Sequence, residues 1–335
     1  MVALADRDRR ADRRPVRENP GRTRSGPEPG LLRDQGRPFL INEVRSASLS
    51  ALGGVDPVSA VGEPDPAPVG IDPTRVSQAR VYDYLLGGTE NYEVDREQAR
   101  ALEAAVPDVA EIARENRAFV TRAARYLARH AGIVQYLDVG SGLPTAENTH
   151  EVVQRVDPEA TVVYVDHDPV VLAHGRALLA ENDRTHMVGG DAWHPSGILH
   201  DPQVRAALDF ARPIGLLCTA TLHMYSGDDR DLPVRVMREY LDALPSGSYV
   251  VLSHLYDPEE QGESAAMRAL EHAARTGGLG SGGARTHAEI AAMLDGLELL
   301  EPGIVETYRW WPSGPRTTPV GVAQRLVAGA VGRKP

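Results

Sequence analysis

Three short segments bring acids and glycines to the ends of apolar runs. The first, Asp138-Val139-Gly140-Ser141-Gly142-Leu143-Pro144, closes the run IVQYLDV over 133–139. Glycines at a strand-to-helix turn let a ligand approach the backbone closely and open a helix N-terminus toward it. A purely structural tight turn uses the same residues. A dinucleotide fingerprint needs its third glycine at position 145, where Thr145 stands behind Pro144. Asp138 precedes the first glycine by two residues, where it repels a phosphate and suits a cationic group.

The second segment, Asp166-His167-Asp168, follows the run ATVVYVD at 160–166. A carboxylate at that tip accepts both hydroxyls of a ribose, in charge-assisted bonds of roughly 1.5–3 kcal/mol each. Asp168 precedes Pro169 and reads better as a helix cap, which leaves Asp166 for the ribose. The third segment, Gly189-Gly190-Asp191-Ala192, follows THMVGG and offers an acceptor for an exocyclic amine such as that of adenine. Ligands of open α/β sheets bind at this edge.

Two further strand ends carry histidines, in Thr221-Leu222-His223-Met224-Tyr225 and in Ser253-His254-Leu255-Tyr256. Each of His223 and His254 is a candidate to take a proton from an acceptor; the alternative is a satisfied polar residue at a strand end. Other chemistries lack their residues. There is no H-x₃-H pair, no G-x-S-x-G elbow and no Walker lysine, Lys334 being the only lysine in the chain. Cys218, the single cysteine, lies inside an apolar run and excludes a disulfide framework or a cysteine-built zinc site. Of Trp310 and Trp311, one should pack inward and the other flank a substrate entrance or an interface.

These segments need a scaffold that brings strand ends together. Short β-branched runs at 133–139, 160–166, 185–190, 214–220 and 247–254 alternate with amphipathic helical patterns near 145–156, 169–181, 202–210, 228–243 and 259–275. That alternation predicts right-handed crossovers and a parallel sheet. Thr286 and Glu289 fit a capping box for another helix, and IVETYRWW (304–311) with RLVAGAVG (325–332) predict a closing hairpin. The expected fold is α/β: a doubly wound, seven-stranded, mostly parallel sheet. Ahead of it, helical patterns at 76–86, 93–105 and 108–130 form a preamble, read as a lid over 71–130 before a core over 131–335. The preamble also carries polar candidates, Arg80, Asn91, Arg114, Asn116 and Arg117, one of whose arginines could pair with a ligand carboxylate. Tyr82, Tyr84 and Tyr92 either wall the pocket or pack as core.

The chain of 335 residues is 42% hydrophobic and carries a net charge of -11. Enough apolar material for a core is present, and the acidic balance argues against nucleic acid as the main partner. Residues 1–70 differ, with 11 Arg, 10 acids, 9 Pro and 8 Gly. Such a segment buries too little to offset its ordering entropy and reads as a disordered tail, with FLINEV (39–44) as a docking strand. No apolar run is long enough for a membrane span and the N-terminus lacks a signal-peptide pattern, so a cytoplasmic protein is expected.

With those residues in view, the sequence resembles the class I S-adenosylmethionine-dependent methyltransferases. More closely, it is similar to an actinobacterial S-adenosyl methyltransferase family long known only as a domain of unknown function. The stretches that carry the likeness are IDPTRVSQARVYDYLLGGTENYEVDR (71–96), ARENRAFVTRAARYL (113–127), YLDVGSGLPTAENTHEV (136–152), VVYVDHDPVVLAHGRALL (162–179), LPSGSYVVLSH (244–254) and GAVGRK (329–334). The resemblance covers residues 71–335. It implies a sheet with a reversed last strand and S-adenosyl-L-methionine lying over the first strand tips. The loop with Asp138, Gly140, Ser141 and Gly142 would then cradle its methionine end. Asp166, with His167, would hold the ribose, and Asp191 and Ala192 would read the adenine. Arg80, Asn91 and Arg117 join them from the preamble. The implied activity is methyl transfer to a small-molecule acceptor. Alternatives are a sensor that holds the same cofactor without turnover, and a nicotinamide-dependent oxidoreductase.

Overall fold

The computed structural model describes residues 72–144, 147–179, 182–225, 227–280 and 283–335. The expected tail over 1–70, with its candidate strand FLINEV, lies outside the described residues. The described chain opens with three helices, α1 (Gln78–Leu85), α2 (Glu93–Ala105) and α3 (Ala110–Arg129). Ser77 caps α1 by accepting from the Arg80 amide, and Asp95 folds back to accept from the Tyr92 amide at the start of α2. Both caps satisfy amides that a helix start leaves without intrahelical partners.

Eight strands follow: β1 (Gln135–Val139), β2 (Thr161–Asp166), β3 (Thr185–Gly189), β4 (Gly215–Thr219), β5 (Tyr249–Leu255), β6 (Glu298–Leu299), β7 (Val305–Glu306) and β8 (Val327–Arg333). Their order in the sheet is β3-β2-β1-β4-β5-β8-β6, with β7 also paired to β8. Strands β1 to β5 run parallel, and β8 runs antiparallel to β5 from Leu255↔Val327 to Tyr249↔Arg333. The intervening helices are α4 (Thr149–Gln154), α5 (Pro169–Leu178), α6 (Pro195–Leu199), α7 (Pro202–Ala207), α8 (Leu232–Ala243), α9 (Gln261–Thr276) and α10 (His287–Met293). No helix among the described residues is long and apolar enough to cross a membrane.

Because side chains of a strand alternate between faces, each strand feeds two cores. Leu137, Val163, Leu216 and Val250 meet α6, α7, α8 and α10 through residues such as Ile198, Val204, Met237 and Ile290. Their strand neighbours Tyr136, Val162, Leu217 and Val251 meet α3, α4 and α5 on the other side. A third cluster joins α1 and α2 to α9 through Val81, Leu102, Met267 and Leu270.

The preamble therefore divides. Phe119, Val120, Ala123 and Leu127 of α3 are buried against the sheet, so α3 is a sheet-covering helix along most of its length, and α1, with Asn116 and Arg117 of α3, stands over the strand tips. The closing hairpin also differs from expectation. The strand expected over 304–311 stops at Glu306, because Thr307–Arg309 winds into a 3-10 turn that buries Trp310. A separate pair of residues, Glu298 and Leu299, pairs with β8 instead, with Pro302 and Gly303 between the two pieces. Proline and glycine interrupt a ladder for want of a donor and a side chain.

Candidate active site

The ends of β1, β2 and β3 meet at one edge of the sheet, where the turn after β1 is tied to β2. The Gly140 and Ser141 amides donate to the Val165 carbonyl at 2.8 and 3.2 Å. Gly140 and Gly142 have φ of +72° and +68°, the left-handed region that costs other residues about 1–2 kcal/mol. At Gly140 a Cβ would also lie 2.4 Å from the Thr221 side chain, so β4 closes against this turn. The helix expected from 145 starts only at Thr149, where Asn148 and Glu151 form a capping box.

Asp166 stands at the centre of the edge and is 7% exposed. Its Oδ2 accepts from the Gly142 amide and its Oδ1 from the Asp168 amide, each at 2.9 Å. Each oxygen keeps a further lone pair for a ligand hydroxyl. Asp168 caps α5, accepting from the Val170 amide at 2.8 Å, while its other oxygen takes the Ser77 hydroxyl at 2.6 Å. That second bond fastens the start of α1 over the β2 tip. Asp191 accepts from the Trp193 amide and faces His194 Nδ1, both at 2.9 Å, and the Ala192 carbonyl accepts from Tyr240.

Asp138 is buried and accepts from the Thr149 hydroxyl at 2.7 Å. Burial pushes its carboxyl up to about 6, against the opposing pull of that hydroxyl and of the Arg117 charge. These tips and α1 enclose a cavity of about 540 Å³ lined by Asp138, the glycine turn, Asp166, His167, Asp191, Ala192 and Arg117. The Ser141 hydroxyl on its wall is buried and has no partner among the described residues. A carboxylate for hydroxyls, a second for a cation and an unpartnered hydroxyl together suit a nucleoside that carries positive charge.

A sequence profile described as S-adenosyl methyltransferase matches residues 64–335. The chain belongs to the S-adenosyl methyltransferase family. Like that family it uses S-adenosylmethionine and is a methyltransferase, which sets the nicotinamide alternative aside. Among solved structures it is similar to a candidate methyltransferase from Thermobifida fusca YX, with 43% identity and a TM-score of 0.74 over 80% of this chain and 98% of that one. It is also similar to a DUF574 family protein from Streptomyces avermitilis MA-4680, with 37% identity and a TM-score of 0.72 over 78% and 98%. No curated protein matches the chain significantly.

Three of the preamble candidates are engaged with protein partners of their own. Arg80 borders the cavity but is 3% exposed, and its Nε is committed to Asp95 at 2.6 Å. Its guanidinium also donates to the Asp72 and Arg75 carbonyls, so it holds the entry to α1 together. Asn91 donates to Asp83 and to the Gly88 carbonyl, away from the cavity wall. Arg114 pairs with Glu111 on the surface.

Neither candidate base reaches the cavity. His223 and His254 are buried beneath the β4 and β5 tips with their rings 5.7 Å apart, and burial holds them down to about 3 and about 4. The short 3-10 turn Leu222–Met224 rotates His223 inward and leaves Thr221 and Met224 on the wall. Trp310 is fully buried, as one of the pair was expected to be, but Trp311 stacks on it and meets Tyr126 edge-on rather than lining the cavity. Wall residues that sequence reasoning passed over include Ser77, Trp193 and Leu279. Ser77 had a signal, since it is the N-cap of α1; Leu279 had none, because it arrives from the turn after α9.

Proposed function

We propose that the chain methylates a small molecule in the cytoplasm, with the cofactor laid across the tips of β1, β2 and β3. In this reading Asp166 accepts the ribose hydroxyls beside His167. Asp191 and Ala192 meet the adenine, and Asp138 with Gly140, Ser141 and Gly142 takes the methionine end near Arg117. The cofactor supplies a methyl group on a positively charged sulfur. The protein's part is to hold that sulfur in line with an acceptor, to balance its charge with carboxylates and to keep water out under α1. The observation that carries the reading is the single cavity that joins Asp138, Asp166 and Asp191 around the unpartnered Ser141 hydroxyl.

Calorimetric titration with S-adenosylmethionine, S-adenosylhomocysteine and NADH tests it, with Asp166→Asn as the control variant. Micromolar binding of the adenosyl ligands, weakened at least tenfold in the variant, is expected, about 1.4 kcal/mol or more for the lost charge-assisted bonds. Unchanged affinity in the variant would remove Asp166 from the ribose. The sensor alternative shares every one of these contacts and differs only in yielding no S-adenosylhomocysteine.

A further inference from the structure

The cavity does not end at the cofactor tips. It continues past β1 to β4, the point where the strand order reverses, and there its wall is Thr219, Ala220, Thr221 and Met224 under Tyr82 and Asn116. This half is held rigidly. Ala220 sits at φ +52°, and its amide donates to the Ser253 hydroxyl at 2.9 Å and to the Ser253 carbonyl at 3.1 Å. The Ser253 hydroxyl donates in turn to Asn116 Oδ1 at 2.5 Å, Asn116 Nδ2 to the Tyr82 hydroxyl at 3.0 Å, and Tyr82 to the Ala113 carbonyl. The Thr221 hydroxyl donates to the Val139 carbonyl.

Among the described residues, no side chain of this half is a base near neutral pH. The Thr221, Ser253 and Tyr82 hydroxyls are committed as donors, Thr219 and Asn116 are neutral, His223 and His254 lie outside the cavity, and Asp138 is assigned above to the methionine end of the cofactor. The walls around it are acidic. Asp72, Asp138, Asp166, Asp168 and Asp191 face three arginines, of which Arg80 is already committed to Asp95.

We infer that the β4 half of this cavity is the acceptor subsite and that it takes an uncharged, weakly basic nitrogen, of the heteroaromatic or aryl amine class. The inference rests on the cofactor placement proposed above. In such a transfer the nitrogen lone pair forms the new C–N bond while the methyl carbon–sulfur bond breaks and its electrons stay on sulfur. Positive charge passes from sulfur to nitrogen, so the charge inside the acidic walls does not change and no side chain has to take a proton. Any proton left on the methylated nitrogen goes to water after release. A phenol or alcohol would need its hydroxyl proton removed within the cavity, and a carboxylate would meet the aspartates. An alkyl amine with a lysine-like pKa of about 10.4 would arrive protonated, whereas a nitrogen of imidazole-like basicity, about 6.5 or below, arrives with its lone pair free.

The test uses the full chain, first titrated with S-adenosylhomocysteine and then, when saturated, with three two-ring probes: benzimidazole, 1-naphthol and 1-naphthoate. Benzimidazole should bind, and with S-adenosylmethionine present it should gain one methyl as S-adenosylhomocysteine appears. Met224→Lys, which adds a cation to the β4 wall beside the nitrogen that becomes positive, should slow benzimidazole methylation at least tenfold while S-adenosylhomocysteine affinity stays within about threefold. Met224→Leu and the melting temperature control for folding. Tight binding of naphthoate, methylation of naphthol, or no binding of any probe would overturn the subsite. So would loss of S-adenosylhomocysteine affinity in Met224→Lys, which would put Met224 on the cofactor side. If the unmodified chain fails to bind S-adenosylhomocysteine, the cofactor placement falls first and takes this inference with it.

Discussion

At neutral pH the Asp138 carboxyl is ionised in a place that disfavours its charge, since burial raises it from 3.8 to about 6. A folded-state value above the unfolded one means that the stabilisation is complete below about pH 4 and is lost as pH rises through 6. The cost to the ligand-free protein at pH 7 is ~3 kcal/mol. Asp138→Asn should therefore raise the melting temperature of the ligand-free protein at pH 7 and weaken S-adenosylmethionine binding. A variant that melts lower would contradict this account. By the same sign, affinity for the cofactor should fall as pH drops below 6 in the parent protein and stay flat in Asp138→Asn, which calorimetry at pH 5.5 and 7.5 would show. Arg80 belongs to a different class of residue. Removing one member of its buried pair with Asp95 should cost about 3–5 kcal/mol, read as a urea-unfolding shift. The acids at the strand tips were legible in the sequence because each stands at the end of an apolar run, Asp166 as the first polar residue after VVYV. The commitment of Arg80 was not legible, since its partner is 15 residues away and only the packing of α1 on α2 brings them together.

Elements with local signals read true. Thr286 and Glu289 form the capping box expected of them, Asp168 caps α5, and α2 spans 93–105 as its periodicity requires. The division of the sixth strand position into β6 and β7 had no such signal, because it follows from where Trp310 finds a core beside Phe119. The double part of α3, sheet cover along most of its length and cavity wall at Asn116 and Arg117, had no signal for a related reason. Its apolar stripe says that it is covered, and does not say by what. The helix that does roof the cavity, α1, is fastened at one end by the Ser77 hydroxyl on Asp168 and at the other by the contact of Glu90 with His174 at 2.9 Å. Ser77→Ala should speed cofactor dissociation several-fold, in line with loss of about 1 kcal/mol from one charge-assisted bond. Stopped-flow displacement would measure it, and an unchanged rate would mean that α1 does not gate the site.

For the molecule as a whole, three buried groups contribute to the response to acid. Near pH 5 the unfolded chain holds protons on His223 and His254 but not on Asp138, whereas the folded chain holds one on Asp138 alone. The unfolded state thus binds one more proton, and these groups should lower stability by about 1.4 kcal/mol for each pH unit of acidification between 6 and 4. Urea unfolding at pH 4.5, 5.0 and 5.5 would check the slope. The fold class was legible because the alternation of runs and helices is a whole-chain pattern. The inward turn of both histidines was not, because it depends on which way one short turn rotates. The three tryptophans divide the molecule in another respect. Trp193 lines the cavity beside Tyr225, while Trp310 and Trp311 stack with centroids 4.9 Å apart against Tyr126, nine residues along α3 from the cavity residue Arg117, or about 14 Å. Light absorbed by the indoles therefore reports from two separate places. Quenching of Trp193 emission follows occupancy of the cavity, and the exciton signal of the stacked pair in near-ultraviolet circular dichroism follows the integrity of the α3 face. Two optical channels are thus available without a label.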